Sequence, residues 1–547
     1  MAINPYYPGR KVHNTLTELL EDSFSSYSNN ILFKYEENNI QFDKTYNAVF
    51  NDVTAISNWI NKLCLQEKHF AILGKTSYQW LISYLGIVSA GSVVVPIDKE
   101  LSVEEIVKLI NFSDAICLMF DNEHRDVAES VKKKLPQVEY LINFQKDDDF
   151  INLSNSLEKN YKVQKKSIIQ PTQPALIMFT SGTMGKQKAV ILTHQNITNN
   201  VALAGSMLYK SDDYTALSIL PNNHSYELVT DVLSTVYFGA TIALNESIKN
   251  FRKNMKKYKP SVLMVVPIVL SMMRNEILRE AKNSGKEKKL EKGLKISNCL
   301  LKIGIDIRRR IFKDILDAFG GQLAIIICGG AFLPLEVYDF FTGIGIIVME
   351  GYGITECSPL VTANTDKYVK RGSVGKVFND FCEVKIVENE IYIKGKSVTP
   401  GYYKNDYESN ECFENGWFKT GDLGYIDKNG FLYITGRKKN LIILSNGQNI
   451  SPEELETLLV QQSSIKEVIV YADNNTITAE VLPDYDLLDG QDKATVESTL
   501  NAELKRINSA LPMYKQIQKI RIRESAFEKT TTHKIKRKSQ QEEFSKK

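Results

Sequence analysis

Between Ile177 and Lys188 the chain reads Ile-Met-Phe-Thr-Ser-Gly-Thr-Met-Gly-Lys-Gln-Lys, an apolar run that passes into three hydroxyls, two glycines and two lysines. That mixture suits a polyphosphate. Glycines such as Gly182 and Gly185 let backbone N–H groups approach phosphate oxygens and form an anion nest. The hydroxyls of Thr180, Ser181 and Thr183 can donate further bonds, while Lys186 and Lys188 bring positive charge. The spacing is not that of a Walker loop: only two residues separate Gly182 from Gly185, and Gln187 follows Lys186 where Ser or Thr would be needed. Read alone, the segment also fits a flexible surface turn.

The surrounding elements must hold such a loop. His69–Leu73 reads as a strand followed by a helix through Trp80 to Ser89, and Val93–Ile97 as a strand followed by a helix over Val103 to Phe112. Ser261 to Val266, Leu323 to Cys328 and Gly345 to Met349 read as further buried strands, with Pro267 suited to the first turn of a helix. This rhythm predicts parallel sheets covered by helices on both faces. The uncharged stretch Trp80 to Ile97 is broken by Ala90-Gly91-Ser92, so it reads as a helix, a turn and a strand, not as a transmembrane segment. From Gly372 short strands such as Glu390 to Lys394 and Phe431 to Ile434 are punctuated by Gly, Asp and Asn, the texture of antiparallel or barrel-like structure. A small α+β unit follows, with a turn at Asn446-Gly447, a helix from Pro452, a strand near Val468 and a helix over Val496 to Ala510.

At 547 residues the chain is too long for one core. Its 68 Lys and Arg nearly balance 65 Asp and Glu, which argues against a nucleic-acid binder. Seven scattered cysteines without a C-x-x-C pair argue against a disulfide framework or structural zinc and favour a reducing cytoplasm. The first thirteen residues lack an apolar signal core. The segment Arg274 to Arg310, rich in Lys, Arg and Leu, reads as a solvated helix face; its sharper reading is a docking surface for an acidic carrier protein or an anionic membrane. The basic tail after Lys536 reads as solvated too.

The phosphate-loop segment resembles the signature of the adenylate-forming superfamily, which includes acyl-CoA synthetases, luciferases and the adenylation domains of peptide synthetases. Further segments resemble its other motifs in the right order: the stretch ending at Asp98, Pro221 to Glu227 with His224, Gly351-Tyr352-Gly353-Ile354-Thr355-Glu356, Thr420-Gly421-Asp422, Gly436-Arg437-Lys438-Lys439, and Thr530 to Lys536. Gln187 and Ala189 stand where the family usually has Pro and Gly, and Met184 where Thr is common. These departures bear on loop flexibility, since both glycines and both lysines remain.

The resemblance implies a fold of α/β plus α+β class: a large N-terminal domain, residues 1–436, of two doubly wound subdomains and a β-barrel, and a small mobile C-terminal domain, residues 437–547. It implies ATP, Mg²⁺ and coenzyme A as cofactors. Thr180, Ser181, Gly182, Thr183, Gly185, Lys186 and Lys188 would hold the phosphates, with Glu356 and Thr180 at the metal. Thr355 would bond the α-phosphate and His224 would stand near the acyl carboxylate. Tyr352, beside Gly353, would offer adenine an aromatic face, and Gly329-Gly330-Ala331 the flat wall opposite. Asp422 would accept the ribose hydroxyls with Arg437 near the same sugar. Lys534 would bridge the incoming carboxylate and the α-phosphate, Lys439 would be the hinge, and Asn446-Gly447 would line a thiol channel. Cys357 reads as inert filling.

The Lys438-Lys439-Asn440 hinge, the Thr-His-Lys-Ile-Lys-Arg ending and Gly329 to Pro334 are most similar to bacterial long-chain acyl-CoA synthetases. The partners implied are a small carboxylic acid, favoured as a fatty acid, and coenzyme A. An alternative acceptor is an acyl carrier protein, which would be a separate chain. A catalytically silent nucleotide- or lipid-binding scaffold is the alternative of a different class. Peripheral membrane contact stays open beside these.

Overall fold

Runs such as His-Phe-Ala-Ile-Leu and Val-Val-Val-Pro-Ile bury nearly every side chain, so they can only be strands covered on both faces. The computed structural model describes residues 6–145, 168–180, 187–209, 212–245, 247–443, 449–462, 464–473, 476–485, 488, 492–529, 535 and 537. The first sheet has six strands in the order Tyr140–Asn143, Ala115–Phe120, His69–Leu73, Val93–Ile97, Pro174–Thr180, Lys188–Thr193. Every pair is parallel except the last. Helix starts are written locally: Ser77 accepts from the Trp80 N–H, and Ser102 and Glu105 form a reciprocal capping box. The expected break at Gly91 is present, with φ +76° between helix Tyr78–Ser89 and strand Val93–Ile97.

The second sheet has eight strands in the order Leu360–Ala363, Ile347–Gly353, Ile325–Cys328, Val262–Val265, Thr215–Ser218, Thr241–Leu244, Ile31–Glu37, Ile40–Thr45. Its two outer pairs are antiparallel and the rest parallel. One large core joins helices Leu16–Ser26, Tyr46–Lys62 and Tyr78–Ser89 to strands of both sheets, which ties the two layers together. The strand expected over Gly345 to Met349 begins at Ile347 and continues to Gly353. Its extension runs through Glu350, a carboxylate that ends the apolar pattern in sequence yet is 8% exposed in the fold.

The third, barrel-like unit is antiparallel: Cys382–Val387, Glu390–Gly395 and Trp417–Ile426 pair in turn, and Phe413–Glu414 and Leu432–Arg437 both pair with Trp417–Ile426. After a short turn at Lys438–Asn440 a separate core begins at Ile442. There Ile465–Asp473 pairs antiparallel with Thr476–Pro483, and Lys519–Ile522 parallel with Thr476–Pro483. Helices Pro452–Val460 and Lys493–Ser509 cover one face of this sheet. Among the described residues no helix is long and apolar enough to cross a membrane.

Candidate active site

The strand Pro174–Thr180 and its neighbour Lys188–Thr193 place Thr180 and Lys188 directly opposite one another, so both ends of the phosphate-loop segment leave the sheet at one point. Both residues line a cleft of about 3020 Å³, together with Asp98, His224, Thr355, Glu356, Arg437 and Lys439. Ser181, Gly182, Thr183, Gly185 and Lys186 lie outside the described residues, as do Asn446-Gly447 and Lys534. Lys188 Nζ stands 3.2 Å from a Glu408 oxygen and 4.6 Å from the centre of the Tyr402 ring.

The strand Ile347–Gly353 delivers Thr355 and Glu356 to the same cleft through a short turn, Thr355–Cys357. Only glycine fits at position 353, because a Cβ there would stand 2.2 Å from the Pro359 carbonyl oxygen. The Tyr402 hydroxyl donates to Glu356 Oε1 at 3.0 Å, and the Thr399 N–H donates to the Glu356 carbonyl at 2.8 Å. Burial and the nearby Glu356 carboxylate both push the Tyr402 phenol well above its ordinary range, so it stays a donor. Glu356 is thus a hard carboxylate held from behind by the Tyr402 hydroxyl, fixed at its main chain by Thr399, and open to the cleft. A single carboxylate with hydroxyls nearby suits a cation that keeps waters and shares oxygens with a polyphosphate, so Glu356 and Thr180 fit Mg²⁺.

His224 lies just before the helical segment Tyr226–Leu233, whose wide i→i+5 turns mark an inserted residue. Its N–H donates to the Pro221 carbonyl at 3.1 Å, which fixes the turn that aims it at the cleft. Ser225 Oγ stands 3.5 Å from Thr355 Oγ1, so these two motifs meet. Gly330 and Ala331 line the cleft; Gly329 lies behind them, where a Cβ would be 3.4 Å from the Gly351 carbonyl and 3.6 Å from the Tyr226 ring. Gly330 has φ +82°, a conformation that favours glycine. Cys357 is buried and its thiol pushed well above its ordinary range by burial, in keeping with an inert filler.

Asp422 and Arg437 are cross-strand partners, and Arg437 Nε donates to Asp422 Oδ1 at 2.5 Å. Tyr352 is nearly buried, 8% exposed. Its ring belongs to the apolar cluster of Cys357, Val361, Ile391 and Leu432, and its hydroxyl donates to Asp422 Oδ2 at 2.7 Å. A buried phenol needs an acceptor, and Asp422 supplies the strongest one in reach. Tyr352 therefore orients Asp422.

Two further residues belong to the site and carried no local signal. Tyr402 follows Gly401 in a loop and meets Glu356 only because the fold closes 46 positions of separation. Glu390, 5% exposed, accepts from the Gly421 N–H at 3.1 Å and from Lys438 Nζ at 2.7 Å, next to the expected hinge.

Residues 21–403 match the model of the AMP-binding enzyme family, and residues 439–547 match that of the AMP-binding enzyme C-terminal domain. The chain is 27% identical to a long-chain-fatty-acid–CoA ligase of Mycobacterium bovis, covering 92% of this chain and 91% of that one. It is 26% identical to a chloroplastic long-chain-fatty-acid–[acyl-carrier-protein] ligase of Arabidopsis thaliana, over 84% of this chain and 75% of that one. In fold it is similar to an anthranilate CoA ligase solved in complex with anthranoyl-AMP, with a TM-score of 0.79, 18% identity and coverage of 99% and 98%. Since the first model spans most of the chain, and described residues of its expected motifs such as Thr180, His224, Thr355, Glu356 and Arg437 line one cleft, the chain belongs to the AMP-binding enzyme family.

Proposed function

We propose that this enzyme is an ATP-dependent, AMP-forming ligase that activates a fatty acid as its acyl-adenylate and transfers the acyl group to coenzyme A. The observation that carries this reading is the meeting of Thr180, Lys188, Thr355, Glu356 and Arg437 in one cleft that also has an apolar wall, with Ile219, Leu220, Val269, Met272 and Met273. The polar end suits a nucleotide and the apolar wall an acyl chain.

In the first half-reaction a carboxylate oxygen bonds to the α-phosphorus of ATP and pyrophosphate leaves. Both reactants are anions, so positioning and charge neutralisation dominate. Lys188 and the loop beside it would bind the outer phosphates, and Thr355 the α-phosphate. Glu356 and Thr180 would hold Mg²⁺, which when bound neutralises polyphosphate charge. Asp422 would receive the ribose hydroxyls once Arg437 moves aside. Lys534 is the cation assigned to the space between carboxylate and α-phosphate. In the second half-reaction a thiol attacks the acyl carbonyl and AMP leaves. We place the domain boundary at 436/437 and the hinge at Lys439, beside the Glu390–Lys438 pair that would hold one orientation of the C-terminal unit. The seven cysteines, all free, fit a cytoplasmic enzyme.

An acyl carrier protein as acceptor is the second reading, favoured by the Arabidopsis relative. The test is product analysis. Acids of graded length and aromatic acids are incubated with ATP and Mg²⁺, then with coenzyme A or carrier protein. Long-chain acyl-coenzyme A as the main product is expected. Failure of every acid to yield AMP would overturn the reading, and acylated carrier alone would replace coenzyme A as acceptor.

A further inference from the structure

We propose that the outer face of helix Glu287–Lys302, with the loop that follows it, is a docking surface for an anionic lipid bilayer. Lys288, Lys292, Lys295 and Lys302 recur at intervals of four, three and seven residues, which puts them in one stripe along the helix. All four are exposed, while the buried Leu290 and Ser297 lie on the opposite face. From Lys282 to Lys313 there are eleven Lys and Arg against three Asp and Glu, a local excess of eight in a chain whose net charge is +3. Glu287 and Glu291 stand to one side of the stripe.

Two features separate this face from an ordinary solvated helix. Like charges one turn apart weaken a helix, so a lysine row gives no stability in return for its repulsion. None of the four lysines forms an ion pair or hydrogen bond among the described residues. Large aliphatic side chains also stand in water beside them: Ile296 is 55% exposed, Ile303 70%, Ile305 48% and Ile311 40%. The loop carrying Ile303 and Ile305 is fixed at its far end. Arg308 holds Asp306 and the Thr342 carbonyl, and Arg309 reaches the carbonyls of Gly321 and Leu323.

Charge selects an anionic partner, and geometry selects a flat one. A stripe from Lys288 to Lys302 runs straight for about 21 Å at 1.5 Å per residue. Aliphatic groups continuing past its end suit insertion between headgroups while the lysines meet lipid phosphates. An acidic protein would satisfy the lysines but leave less reason for isoleucines at the loop tip.

The full chain is sedimented with vesicles of phosphatidylcholine alone and of phosphatidylcholine and phosphatidylglycerol in equal parts. Binding to the anionic vesicles only is expected, weakening as salt rises towards roughly 1 M. K288A/K292A/K295A should lower partitioning about a hundredfold, near fivefold per lysine. I303D/I305D should lower it by at least tenfold while keeping the lysines. Both variants alter exposed positions and should keep the wild-type melting temperature and ligase activity towards a water-soluble acid, so lost binding is not lost folding. No binding to anionic vesicles, binding unchanged in either variant, or capture of an acidic carrier protein in place of vesicles would overturn the proposal.

Discussion

The hydroxyl of Tyr402 donates to Oε1 of Glu356 at 3.0 Å, and the ring carrying that hydroxyl lies 4.6 Å from Lys188 Nζ. One side chain thus touches both the carboxylate suited to the metal and a lysine at the mouth of the phosphate loop. Tyr402→Phe keeps the ring and removes the donor. Hydrogen bonds to charged groups contribute about 1.5–3 kcal/mol, so the Mg²⁺ requirement should rise by about tenfold or more. Titrating pyrophosphate release with Mg²⁺ reads this directly; an unchanged half-saturation point would detach Tyr402 from Glu356.

Asp422 is held by Tyr352 at 2.7 Å and by Arg437 at 2.5 Å. Tyr352→Phe removes one of the two and should raise KM for ATP by about tenfold, with kcat little changed. Asp422→Ala should raise it further. Initial rates at graded ATP decide the matter, and a Tyr352→Phe effect on kcat alone would contradict an orienting role.

Gly353→Ala should unseat the turn bearing Thr355 and Glu356, because the new Cβ would meet the Pro359 carbonyl at 2.2 Å. Backbone must move to relieve that contact, which costs about 1–3 kcal/mol. Thermal melting should fall by several degrees and activity should drop with it. Wild-type melting and activity together would mean the turn yields freely.

Glu350 has its carboxyl pushed up to about 8 by burial. A raised carboxylate binds its proton more tightly in the folded state. Its stabilising contribution is therefore full below the unfolded value near 4.5 and is lost as pH rises through about 8, at up to roughly 1.4 kcal/mol per pH unit. Glu350→Gln should melt higher than wild type at alkaline pH, and the gap should narrow as pH falls. Melting curves from acid to alkaline pH test the sign; a gap that widens in acid would reverse it.

Glu350 also explains where the sequence could be read and where it could not. Uniformly apolar runs such as Val93–Ile97 and cap signals such as Ser102 with Glu105 declare their elements locally, and those elements were legible. The apolar pattern of the strand through Glu350 ends at Met349 in the sequence, because the burial of Glu350 depends on distant packing. At the site, Thr180, Lys188, Thr355, Glu356 and Arg437 were legible from their motifs and meet in the cleft. The bond from Tyr352 to Asp422 is not legible there, since its acceptor lies 70 positions away. Tyr402 and Glu390 carry no local signal for the same reason: their partners are remote in sequence.

The most direct test of the central claim is acid-dependent exchange of labelled pyrophosphate into ATP, run on wild type, Lys534→Ala and Glu356→Ala. Wild type should exchange only with ATP, Mg²⁺ and a fatty acid all present, and both variants should lose at least a hundredfold. Exchange without any acid, or full exchange in either variant, would contradict adenylate formation at this cleft by these residues.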